Sequence, residues 1–185
     1  MRISDDRYHR ERLRMELALR FLRYEARTQT IRAWTGLSDD RIRKLYRSYL
    51  GEAQRLLPRH RGKSPHQTAY FTRSLRLEEE SAFLASVLSL LGVVPLTLEA
   101  PGSAAALARG ELLCQAFEAY RAFLPAAQIS FEHAVFLAAA LSRGEELRTG
   151  SCTGCGSFIV TERIALRGAR CHRCHRCAGA HGSRG

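Results

Sequence analysis

Residues 152–174 read CTGCGSFIVTERIALRGARCHRC, and two CxxC pairs frame that stretch. Fifteen residues separate Cys155 from Cys171, a spacing suited to a four-cysteine zinc ribbon. Each CxxC turn can present two thiolates to one ion, and two such turns complete a tetrahedron. Gly156 follows the first pair, where a tight knuckle turns backbone N–H groups toward sulfur. Phe158–Thr161 is predicted as one strand and Ile164–Leu166 as a second, together forming a hairpin between the knuckles. Cys152, Cys155, Cys171 and Cys174 are therefore the expected ligands of one structural Zn2+ per chain. Four thiolates leave no open coordination position, which argues against a catalytic ion. Cys177, His172 and His175 extend the second pair, and any of them is an alternative ligand.

Outward from this module the chain changes character. From residue 148 onward it is rich in Cys, Gly and Arg, with seven arginines opposed only by Glu162. Before it, the pattern is helical. In residues 6–27 the positions Leu13, Leu17, Phe21 and Tyr24 recur every three or four residues, as an amphipathic helix requires. A short helix is predicted over Thr28–Thr35, stopped by Gly36. Ser38 is a good N-cap for a helix running to about Leu50, with Asp39 and Asp40 at its positive end. Residues 51–66 hold two prolines, two glycines and a basic cluster, and read as a loop. Helical periodicity resumes over about 67–91, then from Ser103 to about Phe123, then from Ser130 to about Arg143. Cys114, inside the second of these, reads as a small buried apolar residue.

Charge is distributed unevenly. The net charge is +9 over residues 1–63, −4 over 64–147 and +6 over 148–185. Two separated basic regions suit a polyanion touched at two places. The longest apolar run, Phe83–Val94, is too short for a bilayer, and the charged N-terminus lacks a secretory h-region. A cytoplasmic protein with no membrane partner is expected, and in a reducing compartment clustered cysteines favour metal over disulfides.

Residues 28–47, TQTIRAWTGLSDDRIRKLYR, have the proportions of a helix-turn-helix. With Gly36 in the turn, Ile31, Leu37, Ile42 and Leu45 occupy the positions that must be apolar. Arg32 stands where a small residue is usual. The second helix is expected to expose Arg41, Arg43, Lys44 and Arg47 at one side, as entry into a DNA major groove requires. Arg163, Arg167, Arg170 and Arg173 are the candidates for a second contact to double-stranded DNA. No nucleophile–base pair, phosphate-binding loop or open metal site is evident. His60, His66 and His133 stand apart from one another, so neither an enzyme nor a small-molecule substrate is expected.

Residues 28–51, TQTIRAWTGLSDDRIRKLYRSYLG, the Gly62-Lys63-Ser64-Pro65 loop, and CTGCGSFIV with CHRC resemble the FlhC family. That family is the zinc-containing subunit of the bacterial flagellar master regulator. The resemblance implies a hetero-oligomer with an FlhD-type subunit that binds flagellar operators and activates transcription with RNA polymerase. It also carries the family's zinc ligands onto Cys152, Cys155, Cys171 and Cys174.

The expected fold is mainly α: a helical DNA-binding region over 1–66 with the helix-turn-helix at 28–50, a helical core and partner-binding region over 67–147, and the zinc ribbon with a basic tail over 148–185. The alternatives are a zinc-ribbon protein-interaction module, or an FlhC-like paralogue that controls non-flagellar genes.

Overall fold

The computed structural model describes residues 3–49, 64–96, 99–164, 170–171 and 173–174. Six helices and one two-stranded sheet are present among them. They are α1 (Ile3–Arg23), α2 (Thr28–Thr35), α3 (Asp39–Tyr49), α4 (Leu75–Leu90), α5 (Ala104–Phe123), α6 (Phe131–Arg143), β1 (Leu147–Ser151) and β2 (Phe158–Glu162). The chain is mainly helical, with a four-cysteine cluster at its C-terminal end. No helix among the described residues is long and apolar enough to cross a membrane.

Two compact units form, and each draws on separate stretches of chain. Among the described residues the first comprises 3–49, 64–65, 99–115 and 130–132, and the second 66–96, 116–129, 133–164, 170–171 and 173–174.

In the first unit α1, α2 and α3 pack on one another. Leu17, Phe21, Ile31, Leu37, Ile42 and Leu45 are all within 3% of full burial. Phe21 stacks edge-on against Phe131 at 4.9 Å between ring centroids. Gly110 on α5 lets α1 approach closely: a Cβ there would lie 2.6 Å from a Leu17 methyl. Helix α1 ends at Arg23, four residues before the predicted end. Glu25 takes a left-handed conformation (φ 60), and the Ala26 N–H reaches back to the Phe21 carbonyl at 2.9 Å. This is the hydrogen-bond pattern that glycine usually supports at a helix end, so the sequence carries no stop signal there. Glu132, nearly buried, then accepts from the Arg27 N–H at 2.8 Å and the Thr30 hydroxyl at 3.0 Å, which anchors the start of α2.

The α2–α3 connection matches its expectation. Gly36 is left-handed (φ 68) and its N–H donates to the Arg32 carbonyl. Ser38 Oγ accepts from the Arg41 N–H at 3.4 Å. A second turn, at Pro101–Gly102, locks against this one. The Gly102 N–H donates to the Trp34 carbonyl at 3.1 Å, and Arg14 on α1 donates two hydrogen bonds to the Gly102 carbonyl. A Cβ on Gly102 would sit 2.5 Å from the Thr35 carbonyl oxygen.

In the second unit the segment predicted as one helix over 67–91 is divided. A 3₁₀ turn, Thr68–Phe71, precedes α4. Ser74 is extended and its hydroxyl accepts from the Leu77 N–H, so α4 begins there. Buried residues include Phe71, Leu77, Leu84, Leu88, Phe117, Tyr120, Ile129, Leu137 and Leu147. At their margin lies Glu80, 3% exposed. Its carboxylate accepts from the Tyr120 hydroxyl (2.5 Å), the Gln128 N–H (2.8 Å), the Ile129 N–H (3.3 Å) and Arg76 Nε (2.9 Å). A buried charge is tolerated when its lone pairs are satisfied in this way.

The strand arrangement differs from the expectation. Phe158–Glu162 is a strand, but its partner is Leu147–Ser151, ahead of the first cysteine pair. Ile164 lies in a turn and is 84% exposed, while residues 165–166 lie outside the described residues. The hairpin therefore closes around the first knuckle instead of spanning the gap between the two. The Cys152 N–H donates to the Ser157 carbonyl at 2.8 Å, which continues the β1–β2 ladder into the knuckle. Leu147 is fully buried, and that favours pairing of its segment over pairing of the exposed Ile164.

Candidate metal centre

The hairpin positions the first pair of ligands. Gly156 (φ 74) donates its N–H to the Cys152 carbonyl at 2.9 Å and closes the knuckle. Ile159 and Val160, both nearly buried, hold β2 against α4. Cys171 and Cys174 come from a second turn. One sulfur from each of Cys152, Cys155, Cys171 and Cys174 lies within 4.8 Å of every other. The four expected ligands are thus brought together and can hold one metal ion. His172, His175 and Cys177 lie outside the described residues.

Hydrogen bonds already favour thiolates at the first knuckle. The Cys171 N–H (3.1 Å) and the Gly154 N–H (3.3 Å) donate to Cys152 Sγ. The first of these donors does most to draw the Cys152 thiol down to about 6, although burial opposes it. The Ser157 hydroxyl, 3.1 Å from Cys155 Sγ, and the Ser157 N–H hold Cys155 below the ordinary thiol range. Cys174 is pushed the other way, to about 12, by hydrogen bonding with Cys155, Cys171 and Cys152. Negative charge gathered on neighbouring sulfurs disfavours a further thiolate, and a bound cation reverses that preference. The donor set therefore fits a thiophilic metal ion held in a tetrahedron.

Gly154 contributes in a way that spacing does not show. A Cβ there would lie 3.0 Å from Cys174 Sγ and 3.3 Å from Cys174 Cβ, so the second knuckle packs on the floor of the first. In hindsight, a glycine between the cysteines of a CxxC pair is the available signal.

The basic candidates fall into two groups. On α3, Arg41, Arg43, Lys44 and Arg47 are all exposed. Arg43, Lys44 and Arg47 share the arc opposite the buried Ile42 and Leu45, as helical spacing dictates. Arg43 pairs with Asp40 at 3.2 Å. Arg41 lies at the flank of that arc and forms an ion pair with Glu11 of α1. Arg32 points to solvent and reaches Asp39 at 3.5 Å, so it does not obstruct the turn.

In the second unit Arg163, Arg170 and Arg173 are exposed, and Arg167 lies outside the described residues. Arg163 donates to the Gly144 carbonyl at 3.3 Å, and Arg173 approaches Glu79 at 3.9 Å. Arg170, Cys171 and Arg173 also help to line a groove of about 990 Å³, with Leu75 and Phe83 of α4 and Phe158 of β2. Leu75 and Phe158 are 51% and 40% exposed there. The sequence offered no sign of this groove, because its walls come from segments far apart along the chain.

No protein-family model matches the chain, and no curated protein matches it.

Proposed function

We propose that this protein is a DNA-binding transcriptional regulator whose C-terminal module is held in shape by a structural Zn2+. The carrying observation is on α3. Arg43, Lys44 and Arg47 lie opposite Ile42 and Leu45, on a helix joined to α2 by a short, locked turn. A basic helix face of this kind suits the major groove, with arginine contacting phosphates and guanine edges. The exposed Arg163, after β2, and Arg170 and Arg173, beside the second cysteine pair, offer a further phosphate-binding surface; the expected Arg167 lies outside the described residues. Four thiolates would occupy every position of a tetrahedral Zn2+, so the ion's contribution is folding energy for a module with few buried side chains. The resemblance to the FlhC family supports an FlhD-type partner subunit, flagellar operons as targets, RNA polymerase as the downstream partner, and a cytoplasmic location.

The test is fluorescence anisotropy with duplex DNA from a flagellar promoter and with a scrambled duplex. It is run with and without an FlhD-type subunit, across a salt series. Arg43→Ala/Arg47→Ala is expected to weaken binding and reduce the salt slope by about 1–2 units, with assembly unchanged. Arg41→Ala is expected to weaken binding less, because Arg41 lies at the flank of the basic arc and is held toward Glu11 of α1. Unaltered affinity in Arg43→Ala/Arg47→Ala removes α3 from the reading surface.

A second reading, a protein-docking module, is favoured by the groove with its exposed Leu75 and Phe158. Absence of DNA binding even with the partner subunit present selects it.

A further inference from the structure

The four sulfurs of the metal centre are not equivalent. Cys152 is 3% exposed, and two backbone N–H groups already occupy its sulfur. Cys171 and Cys174 are half-buried. Cys155 is the exposed member of the set. Oxidation of a thiolate by a soluble oxidant follows access, so Cys155, the residue of the four most open to solvent, is the one expected to react first. Its Sγ lies 3.4 Å from Cys171 Sγ, across the two knuckles. A disulfide is about 2.05 Å long, so this pair can close with a small side-chain movement.

We propose that the metal centre is also a peroxide-sensitive switch, in which Cys155 is oxidised and Cys171 resolves it, releasing the metal. The proposal rests on the four cysteines being a metal site. In the first step the Cys155 thiolate attacks one oxygen of hydrogen peroxide. The O–O bond breaks, hydroxide leaves, and Cys155 becomes a sulfenic acid. In the second step the Cys171 thiolate attacks the Cys155 sulfur. The S–S bond forms, the S–O bond breaks, and a second hydroxide leaves. Two thiolates have then lost two electrons to one peroxide, and two solvent protons convert the hydroxides to water. The ion loses two of its four ligands and dissociates. A thiol reductant restores both ligands.

The disulfide joins one knuckle to the other instead of closing either on itself. The two turns therefore stay tethered while the tetrahedron is lost. Cys171 lies between Arg170 and the segment carrying Arg173, and all three line the groove in the second unit. Oxidation is thus expected to alter the basic wall of that groove and to leave α3 untouched.

The experiment uses the full chain purified under reducing conditions, with its metal content measured first. Peroxide is added, and metal release is followed with a chromogenic chelator. A dimedone probe traps early sulfenic acid, and non-reducing peptide mapping identifies the final disulfide. The expected results are loss of one metal per chain, dimedone on Cys155, a Cys155–Cys171 disulfide, and metal uptake again after reduction. Cys155→His keeps four ligands but removes the open sulfur, and it should release metal about tenfold more slowly. Metal retained under peroxide, first labelling at another cysteine, or a disulfide between any other pair overturns the switch. So does release at the original rate from metal-loaded Cys155→His. If the reduced chain carries no metal at the outset, the metal-site reading itself fails, and the switch fails with it.

Discussion

Replacing Glu80 by leucine tests how the second unit is held together. The substitution keeps the approximate size of the side chain and removes an acceptor used by four donors. Gln128 is exposed, and its N–H can turn to water. Arg76 is half-exposed and can do the same. The Tyr120 hydroxyl and the Ile129 N–H cannot, because both residues are fully buried. Ile129 keeps the Tyr120 oxygen as an acceptor at 3.0 Å, so the hydroxyl bears most of the loss. A buried donor left unsatisfied costs about 1–3 kcal/mol. Glu80→Leu is therefore expected to destabilise the unit by roughly 1–3 kcal/mol, more than an ordinary surface substitution. At about 2–4 °C per kcal/mol for a chain of this size, thermal unfolding should fall by roughly 2–12 °C.

Two further measurements make this specific. Tyr120→Phe removes the same hydrogen bond from the other side. It leaves no orphaned hydroxyl and leaves the Ile129 N–H the Glu80 carboxylate at 3.3 Å, so it should cost less than Glu80→Leu, about 0.5–1.5 kcal/mol. The pH dependence has a definite sign. Burial raises the Glu80 carboxyl, but hydrogen bonds from Tyr120, Gln128, Arg76 and Ile129 outweigh it and hold it below its ordinary 4.5. The carboxylate therefore contributes stability above that ordinary value and loses it as pH falls through the depressed folded value. The gap between the unsubstituted chain and Glu80→Leu should narrow only on acidification below about 4.5. Circular dichroism melts in a pH series, with urea titrations at neutral pH, measure both quantities. A Glu80→Leu protein within about 0.5 kcal/mol of the original, or a Tyr120→Phe protein less stable than Glu80→Leu, refutes the reasoning.

Three other outcomes are expected. Gly102→Ala forces a side chain into a left-handed backbone position, 2.5 Å from the Thr35 carbonyl oxygen. It should destabilise the first unit by about 1–3 kcal/mol in a urea titration, while Ala105→Gly, at an exposed site on α5, should cost no more than about 1 kcal/mol. Glu132→Ala leaves the Arg27 N–H and the Thr30 hydroxyl without their carboxylate, and hydrogen exchange at the start of α2 should quicken by about tenfold or more. Gly154→Ala crowds Cys174, and competition with a chelator should show a metal affinity lower by about tenfold.

Local physics made much of this chain legible. Residues 28–49 needed only apolar spacing, Gly36 and Ser38, because a short helix pair is specified by its own periodicity and caps. The four cysteines were equally legible, since CxxC spacing is a statement about how a turn presents sulfur. The end of α1 was not, because Glu25 adopts a conformation that sequence normally marks with glycine. The division ahead of α4 was missed for a related reason: Ser74 caps a helix inside a stretch whose apolar spacing continues across the break.

By itself, then, the sequence determined the helical class, the α2–α3 turn and which four cysteines could together hold a metal ion, all of which depend on residues close together in the chain. Only the tertiary structure decided which segment pairs with β2, that Pro101–Gly102 braces the α2–α3 turn, and that Cys155 is the open sulfur of the centre. Each of these depends on what is buried against what. Leu147 pairs with β2 because its side chain can be buried there, and Cys155 is open because the hairpin around the first knuckle buries Cys152 instead. Burial of that kind is set by residues distant in sequence, which local patterns do not encode.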